Sequence, residues 1–254
     1  MEIQILGAHN LESVETKLVS ILVDDVLALD AGSLTSSLPF AAQQRIKAIL
    51  ITHHHFDHVR DILPLGLATG YLGTTKLYCT ATAAEILGSH LLDGTLYPDL
   101  TRWPSPQSPA FRFHILETHT PQTIEGYRVV ALPVHHAVAA VGYQVAQGGR
   151  SFFYTGDTGP GLASCWPHTS PQLLITEVTG PDRLEEVLRA GHLTPQALRQ
   201  ELVEFQKLKG YLPAVVLVHF NSQLESEIKE EVERVSRELA TPISLAYDGM
   251  KIRL

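Results

Sequence analysis

The residues best suited to chemistry lie between positions 53 and 58, in the run ITHHHFDH (51–58): four histidines and an aspartate in six positions. The run follows KAILIT (47–52), a short apolar segment without a 3.6-residue period, which fits a buried strand that ends where the histidines begin. On an extended segment leaving a strand, residues i and i+2 point the same way. His53 and His55 can therefore grip one cation together. Asp57 and His58 follow where the chain turns towards a helix, and can face a second cation. Neutral imidazole and carboxylate suit Zn²⁺, and also Mn²⁺ or iron. Under the same geometry His54 points away and reads as structural.

A two-cation site needs further donors, and the chain offers them at the ends of other strand candidates. LPVHHAVAAVGY carries His135 and His136, FFYTGDTG carries Asp157 directly after an apolar strand, and VVLVHF ends in His219. A lone histidine is ordinarily a satisfied core residue. Strand ends that share one rim, however, are where residues distant in sequence converge, and with the first cluster these complete two coordination spheres.

The elements that must position them are legible in outline. EIQIL, TKLVSILVD and VLALD read as strands, with a turn at Asp24–Asp25 and a stop at Asp30-Ala31-Gly32. A helical segment is expected over 59–70, with Pro64 marking a kink or restart. Residues 82–92 read as a helix, and 95–109 as a loop with prolines at 98, 104, 106 and 109. FRFHIL, EGYRVVALPV, AVGYQVAQ and RSFFYTGD form a second group of strands, followed by LLITEV (173–178). Thr194 as N-cap, Pro195 at the first helical position and Gly210 at the end delimit a helix over 195–209. After the strand AVVLVHF, a helix carries an apolar stripe at Leu224, Ile228, Val232 and Val235. A final hairpin is expected to turn at Asp248–Gly249. Strands followed by alternating β and α, twice over, predict sheets packed face to face with helices outside.

Composition narrows the class. The 254 residues suffice for a large core, and a single domain over 1–254 is the simplest division. With 27 acidic and 19 basic residues the net charge is −8, which argues against an extended nucleic-acid surface, since phosphate contacts need clustered Lys and Arg. The two cysteines, Cys79 and Cys165, make no disulfide framework and suit a reducing compartment. The first residues lack a basic stretch before an apolar run, and no apolar stretch is long enough to span a membrane. A cytoplasmic protein is the expectation, with a homodimer left open.

The pattern T-H-x-H-x-D-H, a later isolated histidine, a Gly-Asp after a strand and a last strand-end histidine resembles the metallo-β-lactamase fold hydrolases, across nearly the whole chain from Asp30 to His219. The resemblance implies an α/β fold, a four-layer αββα sandwich with two divalent metal ions at one edge, zinc foremost and manganese or iron as alternatives. It implies that His53, His55 and His136 hold one metal, that Asp57, His58 and His219 hold the other, and that Asp157 bridges them. His136 matches the family pattern better than His135, because the Gly-Tyr that follows it in the family falls at Gly142-Tyr143.

Two more residues resemble the phosphodiesterase branch of this fold. There a Glu–His pair, here Glu177 and His192, protonates the leaving group: a histidine near the metals serves as general acid, and a carboxylate fixes its tautomer and raises its pKa. Asp57, His192 and Glu177 are thus the implied catalytic residues. Asp30, Asp61 and Thr52 are expected as support behind the ligands. The segments HLLDGTLYPDLT (90–101), TGDTGP and GHLTPQALRQEL resemble class II cyclic-nucleotide phosphodiesterases, whereas HHAVAAVGY resembles the tRNA 3′-processing endonucleases. Val134-His135-His136-Ala137 and His219-Phe220-Asn221 depart from the class II pattern. Many of the endonucleases insert a long basic arm between the third histidine and the bridging aspartate; here that interval holds only a strand, a Gly-Gly turn and a strand. A small phosphodiester such as cAMP or cGMP is the expected substrate, with segments 88–97 and 98–109 as candidates for the rim of the base pocket. The alternatives are an RNA 3′-end endonuclease and a di-iron sensing or binding module.

Overall fold

The computed structural model describes residues 1–254. In chain order its elements are β1 (Glu2–Gly7), β2 (Ser20–Val23), β3 (Leu27–Leu29), α1 (Leu34–Ser37), α2 (Phe40–Gln43), β4 (Ala48–Leu50), α3 (Phe56–Val59), α4 (Ile62–Thr69), β5 (Thr75–Cys79), α5 (Ala81–His90) and β6 (Phe111–Ile115). They continue with β7 (Gln122–Ile124), β8 (Tyr127–Val134), β9 (Ala140–Gln147), β10 (Arg150–Tyr154), β11 (Leu173–Glu177), α6 (Glu185–Arg189), α7 (Pro195–Lys209), β12 (Ala214–Val218), α8 (Glu225–Leu239), β13 (Ile243–Leu245) and β14 (Lys251–Arg253).

The strands form two seven-stranded sheets, ordered β14-β1-β2-β3-β4-β5-β6 and β13-β12-β11-β10-β9-β8-β7. Each sheet is antiparallel on one flank and parallel on the other, with β3 to β6 parallel in the first and β10 to β13 parallel in the second. Parallel neighbours need crossovers, and these carry the helices: α1 to α5 in the first sheet, α6 to α8 in the second. Ile3, Ile5, Ile21 and Leu29 of one sheet meet Val129, Tyr143, Val145 and Phe153 of the other in one buried apolar layer. The result is the αββα sandwich expected from the sequence.

Local signals act where they were read. Thr194 Oγ1 accepts from the Ala197 amide, Pro195 opens α7, and Gly210 closes it in the left-handed conformation at φ 76°. Ile228, Val232 and Val235 form the buried stripe of α8. Three expectations are corrected. The helical segment after the histidines breaks at Arg60–Asp61 rather than at Pro64, which sits harmlessly in the first turn of α4 where no intrahelical N–H is required. The short edge strand β7, ahead of the expected strand EGYRVVALPV, was not anticipated. The last two strands are not a hairpin: β13 extends the parallel ladder beside β12, while β14 pairs antiparallel with β1 in the other sheet. The Asp248–Gly249 turn carries the chain between sheets, its carboxylate accepting from the Ala8 amide and the Gly249 amide donating to Ile5 O.

The sheets are pinned together where the ligand-bearing loops leave them. The buried Tyr143 on β9 donates to Ile51 O at 2.6 Å, Tyr154 on β10 donates to Asp30 Oδ2 at 2.8 Å, and the Val141 amide donates to Thr52 O. Burial holds both phenols protonated, pushing their pKa well above the ordinary value. Tyr143→Phe leaves a buried carbonyl without its donor. It should lower stability by about 1–3 kcal/mol, measured by urea denaturation of metal-free protein, with no change in secondary structure by circular dichroism.

Candidate metal centre

The donors come from loops at one edge of both sheets. β4 delivers Thr52 and His53, His55 caps α3, and Asp57 and His58 occupy its first turn. From the second sheet, β8 is followed by His136, β10 by Asp157 and β12 by His219. Asp30 and His219 are both left-handed, at φ 56° and 60°, a conformation uncommon for residues with a side chain and concentrated at functional sites.

Two groups of potential metal-binding residues result, His53, His55, His136 and Asp157 in one, Asp57, His58, Asp157 and His219 in the other, with the ligand atoms of each within 4.8 Å of one another. Asp157, buried, is common to both: its Oδ2 lies 3.8 Å from His53 Nε2, 3.9 Å from His136 Nε2 and 3.2 Å from His219 Nε2, and its Oδ1 lies 3.1 Å from His58 Nε2. His136 Nε2 is 3.2 Å from His55 Nδ1, and His219 Nε2 is 3.2 Å from Asp57 Oδ2. Donors about 2.0–2.1 Å from a tetrahedral ion stand about 3.3 Å apart, so these spacings fit. His54 and the exposed His135 lie outside both groups; His135 Nδ1 is 3.2 Å from Pro160 O.

The hydrogen bonds behind the donors determine which way their lone pairs face. Thr52 Oγ1 donates to Asp30, so it can only accept from His53 Nδ1–H at 3.0 Å. His58 Nδ1–H donates to Asp30 Oδ2 at 2.8 Å, and His136 Nδ1–H to Gly191 O at 2.9 Å. Thr179 Oγ1 donates to Glu177 Oε2 at 2.7 Å and therefore accepts from His219 Nδ1–H at 2.9 Å. With the outer nitrogens of His53, His58, His136 and His219 committed, their inner nitrogens point at one another and at Asp157. His53 Nε2, His58 Nε2 and Asp157 Oδ1 are buried without a hydrogen-bond partner. Buried acceptors facing acceptors call for positive charge between them, and the donor set of imidazole and carboxylate suits zinc, manganese or iron.

Titration expresses the same demand. Burial, reinforced by the neighbouring imidazoles, drives His53 well below its ordinary pKa and keeps it neutral. Burial opposes charge on His58 too, but the Asp157 and Asp30 carboxylates prevail and push it well above. Asp57 and Asp157 stay ionised despite burial, held low by His219 and His58.

Glu177, fully buried at the end of β11, joins a third group with His192 and His219. Its Oε1 is 2.6 Å from His192 Nδ1 and accepts from the Thr158 amide, and its Oε2 accepts from the Leu193 amide and Thr179. Burial disfavours charge on His192, but this hydrogen bond and the carboxylate charge outweigh it and raise the pKa to about 9. Its ring stacks on His219, centroids 5.3 Å apart, and lies edge-on to His136.

Thr52 and Asp30 hydrogen-bond to the candidate donors His53 and His58. Asp61 acts one layer further out, accepting from the Thr35 amide and pairing with Arg60. Thr179 and Tyr154 were missed. The i, i+2 spacing of Glu177 and Thr179 at a strand end was the available signal for the first; no local signal marks the second. Gly156 (φ 61°) is required where it stands, because a Cβ there would come 2.8 Å from the Thr52 side chain. The proposed rim segments are displaced: 98–109 is anchored by Thr74 Oγ1 to Pro109 O ahead of β5 and β6, at the sheet end opposite His53, and α5 runs back to the same end before 91–97. Segment 10–16 lies beside the donor-bearing loops, through Asn10 N to Phe220 O and the Glu12–Arg60 ion pair, and the exposed Phe56 falls in sequence between His55 and Asp57.

A family model for the β-lactamase superfamily domain matches residues 20–220, and the chain belongs to that family. A probable 3′,5′-cyclic-nucleotide phosphodiesterase of Yersinia pestis is 25% identical over 188 residues, 66% of this chain and 53% of that protein, so the match spans about half the length of that relative. Unliganded yeast PDE1 superposes with a TM-score of 0.84 at 17% identity, covering 100% of this chain and 99% of that one. Human tRNase Z, short form, superposes with a TM-score of 0.70 at 20% identity, covering 100% and 99%. The two solved structures share the fold, and the fold alone does not choose between them.

Two outcomes follow from the wiring. His58 is charged in the metal-free protein below its raised pKa and must lose that proton to present a lone pair. Zinc affinity should therefore climb with pH across the neutral range, and calorimetry in buffers of different ionisation enthalpy should record net proton release. Thr179→Val should cost about 10–100-fold in affinity for a metal held by the Asp57, His58 and His219 group, and Thr179→Ser should restore it, both read by competition with a chromogenic chelator.

Proposed function

We propose that this chain is a binuclear metal-dependent phosphodiesterase that hydrolyses 3′,5′-cyclic nucleotides to 5′-nucleotides, acting as one cytoplasmic domain. The observation that carries the reading is the Glu177–His192 pair beside the two donor groups. Two divalent cations bound there, zinc foremost, would supply Lewis acidity for a phosphoryl transfer to water. His53, His55 and His136 would hold one cation, Asp57, His58 and His219 the other, and Asp157 both. Glu177 takes the Nδ1–H of His192 and leaves the Nε2–H free to pass a proton to the departing 3′ oxygen. At a pKa of about 9 that proton is present at neutral pH.

A small substrate is supported by the short connection between His136 and Asp157, which is filled by β9, a tight turn and β10 and leaves no room for a basic arm, and by the net charge of −8. No helix is long and apolar enough to cross a membrane. Cys79 and Cys165 are free and buried, and burial pushes their thiols up to about 12 and about 11, which fits inert thiols in a reducing compartment.

The test is turnover of cAMP, cGMP and bis(p-nitrophenyl) phosphate by zinc- or manganese-loaded protein. Hydrolysis of none of them sinks the proposal. Cleavage of pre-tRNA without cyclic-nucleotide turnover reassigns the site to RNA, and a coloured di-iron protein inert to all of these reassigns it to sensing or binding. His192→Ala should retain its metals and lose about 10²–10⁴-fold in kcat on cyclic nucleotides. It should lose far less on bis(p-nitrophenyl) phosphate, whose nitrophenolate leaves without a proton.

A further inference from the structure

Glu201 is a buried carboxylate outside both donor groups and outside their outer hydrogen bonds. It stands in the buried stripe of α7 among Leu198, Leu202 and Phe205, and is only 7% exposed. Burial raises its pKa, and the backbone amides of Gly161, Ala163 and Leu162 oppose the rise. Its Oε2 is buried without a hydrogen-bond partner. A carboxylate in that position is costly, and an apolar side chain would pack against the same neighbours. What the carboxylate provides and an apolar side chain does not is an acceptor: Glu201 Oε1 takes the Gly161 amide at 2.7 Å.

Gly161 belongs to the connection that leaves β10 with Asp157 and continues through 158–165. Two buried carboxylates grip this connection, Glu177 at the Thr158 amide, 2.9 Å away, and Glu201 at Gly161. Between these points it runs along the segment that carries His136. The Gly159 amide donates to His135 O at 2.6 Å, and His135 Nδ1–H donates to Pro160 O at 3.2 Å. Further on, Cys165 Sγ donates to Pro133 O at 3.2 Å.

The packing behind these bonds leaves no slack. A Cβ on Gly159 would come 3.2 Å from Gly191 Cα, and one on Gly191 (φ 83°) would come 3.1 Å from His136 Cα. Gly191 O in turn accepts from His136 Nδ1–H. The backbones of the connection, of Gly191 and of His136 are therefore stacked in contact, and a displacement at Gly161 is passed to the His136 ring and to Asp157. The spacing at stake is the 3.9 Å between His136 Nε2 and Asp157 Oδ2. We propose that Glu201 is a positioning residue for the metal centre, holding the 158–165 connection so that Asp157 and His136 face one ion. The inference rests on the metal-dependent reading above and not on the choice of substrate.

The test is cobalt binding to the full-length protein, read by competition with a chromogenic chelator and by the visible spectrum of the bound ion. Glu201→Leu should weaken binding at the His53, His55 and His136 group by about 10–100-fold. It should also shift the spectrum, because the ligand field changes when donors move. Glu201→Gln keeps an oxygen for the Gly161 amide and should restore both readouts. Glu204→Gln, at an exposed position of α7 where Glu204 pairs with Lys207, should leave both unchanged. A second measurement needs no variant to fold. By linkage, a mount that supports the ion is itself held by it, so zinc should slow hydrogen exchange at the Gly161 amide of the wild type. The Thr95 amide, held by Asp93 in an exposed turn far from the donors, should not respond. Gly161 exchange indifferent to zinc overturns the inference. A wild type that binds both metals, with Glu201→Leu matching it in affinity and spectrum, overturns this inference alone. A folded wild type that binds neither metal overturns the metal-dependent reading and this inference with it.

Discussion

The site depends on one buried carboxylate. Asp30 has no solvent exposure, yet its two oxygens accept from the Thr52 amide, the Thr52 hydroxyl, His58 Nδ1 and the Tyr154 hydroxyl. A carboxylate in such a place is tolerable only when every lone pair is satisfied, and the satisfaction is directional. It fixes the ring of His58 directly and that of His53 through Thr52, so it orients a donor in each group. It also ties the first sheet to β10 of the second. The left-handed turn at Asp30 sends the chain away from β3 and leaves the side chain at the seam, where both sheets can reach it.

This division explains what could be read from the sequence. The histidine cluster announces itself because its partners lie within six positions and a strand precedes them. The α7 helix does so because its caps are local. Asp30 is another matter: its contacts lie 28 positions away at His58 and 124 away at Tyr154. Only the resemblance to a family drew attention to it. The Asp248–Gly249 turn reads as a hairpin because turn chemistry is local, whereas the sheet that each flanking strand joins is decided by the crossover through α8 and by the open edge of β1. The base-pocket rim was misplaced for the same reason. Proline content describes a loop but not the end of the sheet at which it lies.

The second sheet contributes a parallel piece of wiring. Glu177 accepts from two backbone amides, from His192 and from Thr179, and Thr179 in turn holds His219. The group proposed to deliver a proton and a group proposed to hold a cation therefore hang from the same carboxylate. Movement of one ring would be felt by the other through three short hydrogen bonds, in addition to their stacking. The groups proposed for proton delivery and for cation binding share one rigid mount, at the end of a strand with no exposed residue.

Asp157 has a thermodynamic corollary. Because one carboxylate is common to both donor groups, two cations held there as proposed would not bind as independent events. Whatever the first ion does to the orientation and charge of that carboxylate alters the free energy with which the second is held. By linkage, the second alters the first by the same factor. Occupancy under limiting metal is then governed by this coupling as much as by either intrinsic affinity. The half-loaded form of the proposed centre would be a species with its own population, which the supply of free metal would raise or deplete.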